Sequence, residues 1–209
     1  MTQSKFVLGI IALNFTMCGF VYSSSGEVGS EYIDGHSIAG FGQSMSDISA
    51  FNELENRDEA GVNNYSEVVI SSSYNSSISI IQLSNGGASN RAKVLQHQSS
   101  NSEANILQYG SGHVAYVSQT GDGNSVDIGQ VGYGHTSWVE QNGNNNTAVI
   151  GQGDLFLNDP SEISLNQSGN NNSAYLYDKG GSSYGITQDG NDSVMIVGAK
   201  NMGVYITQH

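Results

Sequence analysis

His113-Val-Ala-Tyr-Val-Ser-Gln119, Asn124-Ser-Val-Asp-Ile-Gly-Gln130 and Asn146-Thr-Ala-Val-Ile-Gly-Gln152 are three copies of one pattern. In each, a polar residue, a small or branched apolar residue, an aliphatic and a Gln occupy every second position. Period two within a segment means a β-strand with two distinct faces. The Gln returns every 11 residues, at Gln108, Gln119, Gln130, Gln141 and Gln152. A fixed period between like segments predicts stacked repeats.

The pattern extends in both directions. Gln82 and Gln96 precede the regular steps, and the insertion Gly153-Asp-Leu-Phe-Leu-Asn-Asp-Pro160 follows them. Beyond it the same position is held by Gln167, Asp178, Gln188, Ala199 and Gln208, which makes twelve arms. The expected inward sets run from Ser76/Ile78/Ile80 through Asn90/Ala92/Val94 and His113/Ala115/Val117 to Ser182/Tyr184/Ile186, Ser193/Met195/Val197 and Met202/Val204/Ile206. A degraded arm ending near Ser71 completes the first turn. Between arms lie Gly- and Asn-rich tetrads such as Thr120-Gly-Asp-Gly123 and Asn142-Gly-Asn-Asn145. These residues accept the positive φ of tight turns. The single Pro, Pro160, falls in the insertion, so every arm keeps its ladder donors.

Strand, turn, strand, turn in about 22 residues is one turn of a β-solenoid, with successive strands of a sheet ~4.8 Å apart. Arms then alternate between two sheets. One sheet collects Gln82, Gln108, Gln130 and Gln152, and breaks at Asp178 and Ala199. The other collects Gln96, Gln119, Gln141, Gln167, Gln188 and Gln208 without a break. Stacked identical amides hydrogen-bond along the axis, as in cross-β assemblies. Asn90, Asn124, Asn146 and Asn172 head their arms and form the second set of candidate ladder residues. The expected fold class is all-β: a cross-β solenoid of about six two-strand rungs over residues 65–209.

The front of the chain differs. Met1–Lys5 carries one positive charge, Phe6–Val21 is mostly apolar, and Ser23-Ser24-Ser25-Gly26 supplies small residues for cleavage. Residues 1–25 therefore read as a secretory signal peptide. Cys18, the one cysteine, lies inside it, so no disulfide is expected in the exported chain. Residues 26–64 form an acidic segment, with eight carboxylates against Arg57 and apolar residues in no sustained period. That composition predicts weak order.

Charge limits the partners. Six Lys and Arg against 19 Asp and Glu give a net charge of −13. Nucleic-acid binding and polybasic membrane patches both need the opposite balance. Short loops and scattered acids argue against a catalytic groove, and neither a catalytic residue nor a cofactor or metal site is expected. The Gly-Gly-x-Gly-x-Asp repeat of Ca²⁺-binding solenoids is absent. An ice-binding or adhesive solenoid needs a regular outward array, whereas Ser125, Asp127, Thr136, Trp138 and Glu140 are irregular. His113 and His135, 22 residues apart, should stack on consecutive rungs. Clustered imidazoles can titrate or bind metal, but the simpler reading is His in the Asn position of the repeat. Trp138 and the tyrosines are expected outward or in turns.

These residues resemble the curlin repeat, Ser-x5-Gln-x-Gly-x-x-Asn-x-Ala-x3-Gln; Gln141-Asn-Gly-Asn-Asn-Asn146-Thr-Ala148-Val-Ile-Gly-Gln152 is similar throughout. The resemblance spans residues 51–209. Asn52-Glu53-Leu54, the outward basic residues of Asn90-Arg91-Ala92-Lys93-Val94 and the ending Val204-Tyr-Ile206-Thr-Gln208-His209 look more like the minor, nucleating curlins than the major ones. The insertion at 153–160 and the twelve arms, where the family typically shows ten, depart from the pattern. The resemblance implies an extracellular functional-amyloid subunit at the surface of a Gram-negative bacterium. Its implied partners are a major curlin, further copies in fibres, the curli export channel with its accessory factors, and the outer-membrane surface. A major-curlin-like fibre subunit and a non-amyloid adhesive or ice-binding solenoid are the alternatives.

Overall fold

The structure, a computed structural model, describes residues 45–55, 64–153, 159–198 and 200–209. The signal-peptide reading, most of the acidic segment and Ala199 lie outside the described residues. Helix α1 covers Met45–Glu55. Strands β1 (Asn64–Ser71), β2 (Ser77–Ser84), β3 (Asn90–His97), β4 (Glu103–Ser111), β5 (Val114–Thr120), β6 (Ser125–Tyr133) and β7 (Thr136–Asn142) follow. They are succeeded by β8 (Thr147–Gly153), β9 (Glu162–Ser168), β10 (Ser173–Asp178), β11 (Ser183–Asp189), β12 (Ser193–Val197) and β13 (Gly203–Gln208).

Odd-numbered strands form one seven-stranded sheet and even-numbered strands one six-stranded sheet. Every strand pairs in parallel with the strand two places away in the chain. Consecutive strands thus face each other across a thin core, and the chain winds as a β-solenoid of about six turns. The thirteenth strand is the degraded arm: β1 pairs with β3 in full register, Asn64 on Asn90 and Ile70 on Gln96. The core is two columns per sheet. Ala92, Ala115 and Ile163 stack in one, Val94, Val117, Val139 and Leu165 in the next, and all are buried. The opposite sheet supplies Ala104, Val126 and Ala148 beside Ile106, Ile128 and Ile150. Small residues in the first column let the sheets approach, and branched ones fill the second.

The corners repeat as closely as the strands. Asn145, Asn171 and Asn191 hold φ of 57°, 61° and 57° at equivalent corners, in the left-handed region that Asn tolerates. Gly143, at φ 134°, has a second reason: a Cβ there would overlap the carbonyl of Gly169 in the next turn. Corners stack backbone on backbone, since Gly143 N donates to Thr120 O at 3.0 Å and Gly169 N to Asn142 O at 2.9 Å.

One expectation is corrected. Ser193/Met195/Val197 do not point inward. Tyr177 pairs with Val197, so Gly198 rather than Ala199 stands over Asp178. Val194 and Ile196 face the core, while Met195 and Val197 are 76% and 69% exposed. The corner after Gln188 is one residue shorter than that after Gln167, and a one-residue slip flips every side chain. Alternation of Val194 and Ile196 decides the register, not the Gln count.

The acidic segment carries an element that its composition does not announce. Residues 45–55 form a helix that packs on the outer face of the seven-stranded sheet. Phe51 and Leu54 are buried there against Val114, Tyr116 and Trp138. Phe51 stacks on Trp138 with centroids 4.6 Å apart and meets Tyr116 edge-on at 6.2 Å. Trp138 does point away from the solenoid core, as expected, yet α1 covers it completely. Phe51→Ala should remove the wedge, and truncating a buried Phe costs about 3–5 kcal/mol. Because α1 adds no strand, the loss falls on helix docking. The emission of Trp138, the chain's one tryptophan, should shift red while the β-sheet circular dichroism persists. Unchanged emission would refute the docking.

Candidate functional site

The candidate site is axial, not a pocket. In the six-stranded sheet Gln82 Nε2 donates to Gln108 Oε1 at 2.8 Å, Gln108 to Gln130 at 2.9 Å and Gln130 to Gln152 at 3.0 Å. In the seven-stranded sheet Gln96 donates to Gln119 at 2.8 Å, Gln119 to Gln141 at 3.0 Å and Gln141 to Gln167 at 2.8 Å. Gln167 then donates to Gln188 at 2.9 Å, and Gln188 to Gln208 at 3.1 Å. Every amide donates toward the C-terminal end, so the two ladders share one polarity.

The second amide proton ties the sheets together. Gln108, Gln119, Gln130 and Gln141 donate to the carbonyls of Arg91, Glu103, Val114 and Ser125, at 3.0 to 3.1 Å. Each acceptor lies in the first two residues of the preceding strand, in the opposite sheet. A buried amide with one bond along the axis and one across is satisfied on both protons. Alternation puts the Gln inward, and equal corners put each amide over the last.

A second ladder runs at the strand starts. Asn146 N donates to Asn124 Oδ1 at 3.0 Å, and Asn172 N to Asn146 Oδ1 at 3.0 Å. Asn90 Oδ1 accepts from His113 N at 3.1 Å. Each side-chain oxygen takes the backbone N–H of the next rung, at the corner where strand pairing begins. Ser76 and Ser102 do the same through their hydroxyls, to Ser102 N and Asn124 N.

His113 and His135 occupy this ladder. His113 Nδ1 accepts His135 N at 3.2 Å, and His135 Nδ1 accepts Ser161 N at 3.1 Å. Their Nε2 atoms donate to the carbonyls of Tyr109 and Val131 at 3.2 and 3.1 Å. This is the neutral Nε2–H tautomer, with Nδ1 doing the work of an Asn oxygen. The rings stack 5.3 Å apart and nearly parallel. Both nitrogens of each ring are engaged, so neither is offered to a metal. Burial, and then the neighbouring His135, push the His113 pKa down to about 4. Burial lowers that of His135 as well.

The Gln ladder of the six-stranded sheet ends in a different device. Asp178, fully buried, stands over Gln152. Its Oδ1 accepts Tyr184 Oη at 2.9 Å and its Oδ2 accepts Gly180 N at 2.8 Å. Gly198 is required above it, because a Cβ would overlap Tyr184 Oη. Burial raises the Tyr184 phenol above its ordinary value, and Asp178 adds to the rise, so it stays a donor. Tyr184→Phe keeps the ring and strands a buried carboxylate. Loss of one such partner costs about 1–3 kcal/mol, read as a lower urea midpoint. An unchanged midpoint would exclude the plug. Asp178 was legible as a break in the Gln column; its partners Tyr184 and Gly198 were not.

The outward basic residues are not free charges. Lys93 is buried and pairs with Glu67 at 3.2 Å.

The curlin associated repeat matches this chain twice, at residues 100–132 and 121–153. The matched stretch runs from β4 to β8, where both Gln ladders are unbroken, and it supports kinship with the curlins. Comparison with curated proteins and with solved structures finds no significant match.

Proposed function

We propose that this chain is a structural, non-catalytic subunit of an extracellular curli-type amyloid, and that it serves as the surface nucleator on which a major curlin polymerises. One observation carries the reading. The two sheets that carry the Gln ladders end at four strands, β1 and β2 at one end and β12 and β13 at the other, each the last of its sheet. A parallel edge strand presents a row of N–H and C=O groups that recruits another strand. A ladder of amides in fixed register tells an incoming chain which residues to place where. The two ends differ, one opening on Gln82 and the other following the Asp178–Tyr184 plug, so an incoming major curlin meets a distinct template at each. The same reading brings the export channel, its accessory factors and the outer-membrane surface as further partners. The test adds a small molar fraction of the folded chain to fresh major-curlin monomer and follows thioflavin fluorescence. The lag should shorten with dose. An unaltered lag at every dose, with the chain folded, would reject the nucleator role. Bulk fibres of this chain that never seed the major subunit would assign it to the fibre body.

A further inference from the structure

We infer that copies of this chain stack end to end with a half-turn about the axis, so that the seven-stranded sheet of one copy continues into the six-stranded sheet of the next. The inference rests on the fibre reading above and adds the register and the orientation of the contact. It starts from the strand count among the described residues. Their thirteen strands, divided between two sheets, leave seven on one side and six on the other. β13 thus stands one level above β12. If the next copy kept the same orientation, its β1 would lie on β13, but its β2 would be two strand spacings from β12. The six-stranded sheet would then carry a hole one strand wide, with the edge groups on both sides unpaired.

A half-turn removes the hole. The β1 of the next copy then lies on β12 and its β2 on β13, so the alternation of sheets runs on without interruption. Strand directions agree, because a half-turn about the axis maps one sheet onto the other with its direction preserved. The registers of the two pairs follow from those inside the molecule. Gln188 pairs with Gln208, and Gln82 with Gln108, at the same ladder position. Gln208 of one copy therefore meets Gln82 of the next, Ile206 meets Ile80 and Val204 meets Ile78. On the other side Ile196 meets Val68, and Gly198 meets Ile70.

The side chains at the two ends favour this arrangement over the straight one. Gln208 Nε2 keeps its cross-sheet bond to Ser193 O, at 3.4 Å, and is the last donor of its ladder. Gln82 is the first amide of the other ladder, with its nitrogen already given to Gln108 and to Tyr65 O. Its oxygen is the acceptor that the polarity of the ladders requires. In the half-turn contact the donor end of one ladder meets the acceptor end of the other. Ile70, which interrupts the amide column below Gln96 and leaves Gln96 Oε1 without a donor, falls over Gly198, where no amide is lost. In the straight contact the same Ile70 would cover Gln208 and leave its axial amide proton buried without an acceptor. Helix α1 rides on the seven-stranded sheet, so helices of successive copies project from opposite sides of the fibre.

Cysteine pairs at outward edge positions read the register directly, in the full chain carrying Cys18→Ser. Thr207, Ile81 and Val69 are all exposed, so substitution there leaves the core intact. In the half-turn contact Thr207 lies beside Ile81 of the next copy; in the straight contact it lies beside Val69. Neighbouring strands sit within disulfide reach, whereas groups in opposite sheets do not. Fibres are first scored by thioflavin and electron microscopy, then oxidised and run without reductant. Thr207→Cys/Ile81→Cys fibres should give dimers and higher multimers in about tenfold excess over Thr207→Cys/Val69→Cys fibres, since a disulfide does not close beyond ~7 Å between Cα atoms. Equal or greater cross-linking of the Thr207/Val69 pair, or fibres that cross-link through neither, would overturn the half-turn while leaving the fibre reading intact. Absence of fibres from the parent chain and both variants would reject the fibre reading and the stacking with it.

Discussion

Replacing Gln119 and Gln141 together by alanine is expected to be among the most damaging changes the solenoid can suffer short of breaking a strand. Gln119 accepts from Gln96 and donates to Gln141 and to Glu103 O; Gln141 donates to Gln167 and to Ser125 O. Both residues are buried. The double variant leaves the Gln96 amide without its axial acceptor and the Gln167 oxygen without its donor. It also removes the side-chain donors to the Glu103 and Ser125 carbonyls. Each unmatched buried group costs about 1–3 kcal/mol, and the cavities add to that. The denaturant midpoint should fall sharply and fibre formation should slow. The same change at Gln3 and Gln43, outside the repeats, should do neither. Methionine at both positions separates the two contributions, because it restores volume without restoring hydrogen bonds. If the alanine pair and the control pair assembled at equal rates, the ladder would not be the assembling element.

The solenoid was legible because one rule repeats: alternation within an arm and equal length between arms. From Gln82 to Gln188 the alternation locates each arm even across the longer gaps and the insertion, and the residues written inward are the residues found inward. Beyond Gln188 the count fails. The corner after Gln188 is short by one residue, and packing of Val194 and Ile196 overrides the count that pointed to Ala199. Helix α1 was missed for a different reason. Its apolar residues Phe51 and Leu54 sit three apart in an acidic stretch, too few to make a period by themselves. The signal lay on the other partner. Val114, Tyr116 and Trp138 form an apolar patch on the outward face of adjacent strands, and such a patch calls for a cover. The plug at Asp178 is hidden from any one-dimensional reading, because Tyr184 reaches it from the facing sheet and only Gly198 leaves it room.

Lowering the pH from 7 to 4.5 is expected to destabilise the solenoid through His113 and His135, in a way that asparagine at the same two positions prevents. An unfolded histidine titrates near 6.5, whereas folded His113 holds its proton only below about 4. Between those values the unfolded chain binds a proton that the folded chain refuses, so stability falls as pH falls. The stabilisation is complete above 6.5 and lost on the way down to about 4. For His113 alone that window is worth about 3 kcal/mol, and His135 acts in the same direction. Geometry gives the cause. A proton on Nδ1 would confront the backbone N–H of the next rung, turning an acceptor into a second donor at the start of β7 or β9. Asp178 favours protonated His135 and softens the effect there. His113→Asn/His135→Asn keeps an acceptor in the ladder, as Asn124 and Asn146 do, and has no charge to gain. Urea midpoints measured across this range should decline for the parent chain and stay nearly level for the variant. Every other titratable group is common to both proteins and cancels in the comparison. Parallel decline of the two curves would place the pH sensitivity elsewhere and leave the histidines as neutral rungs.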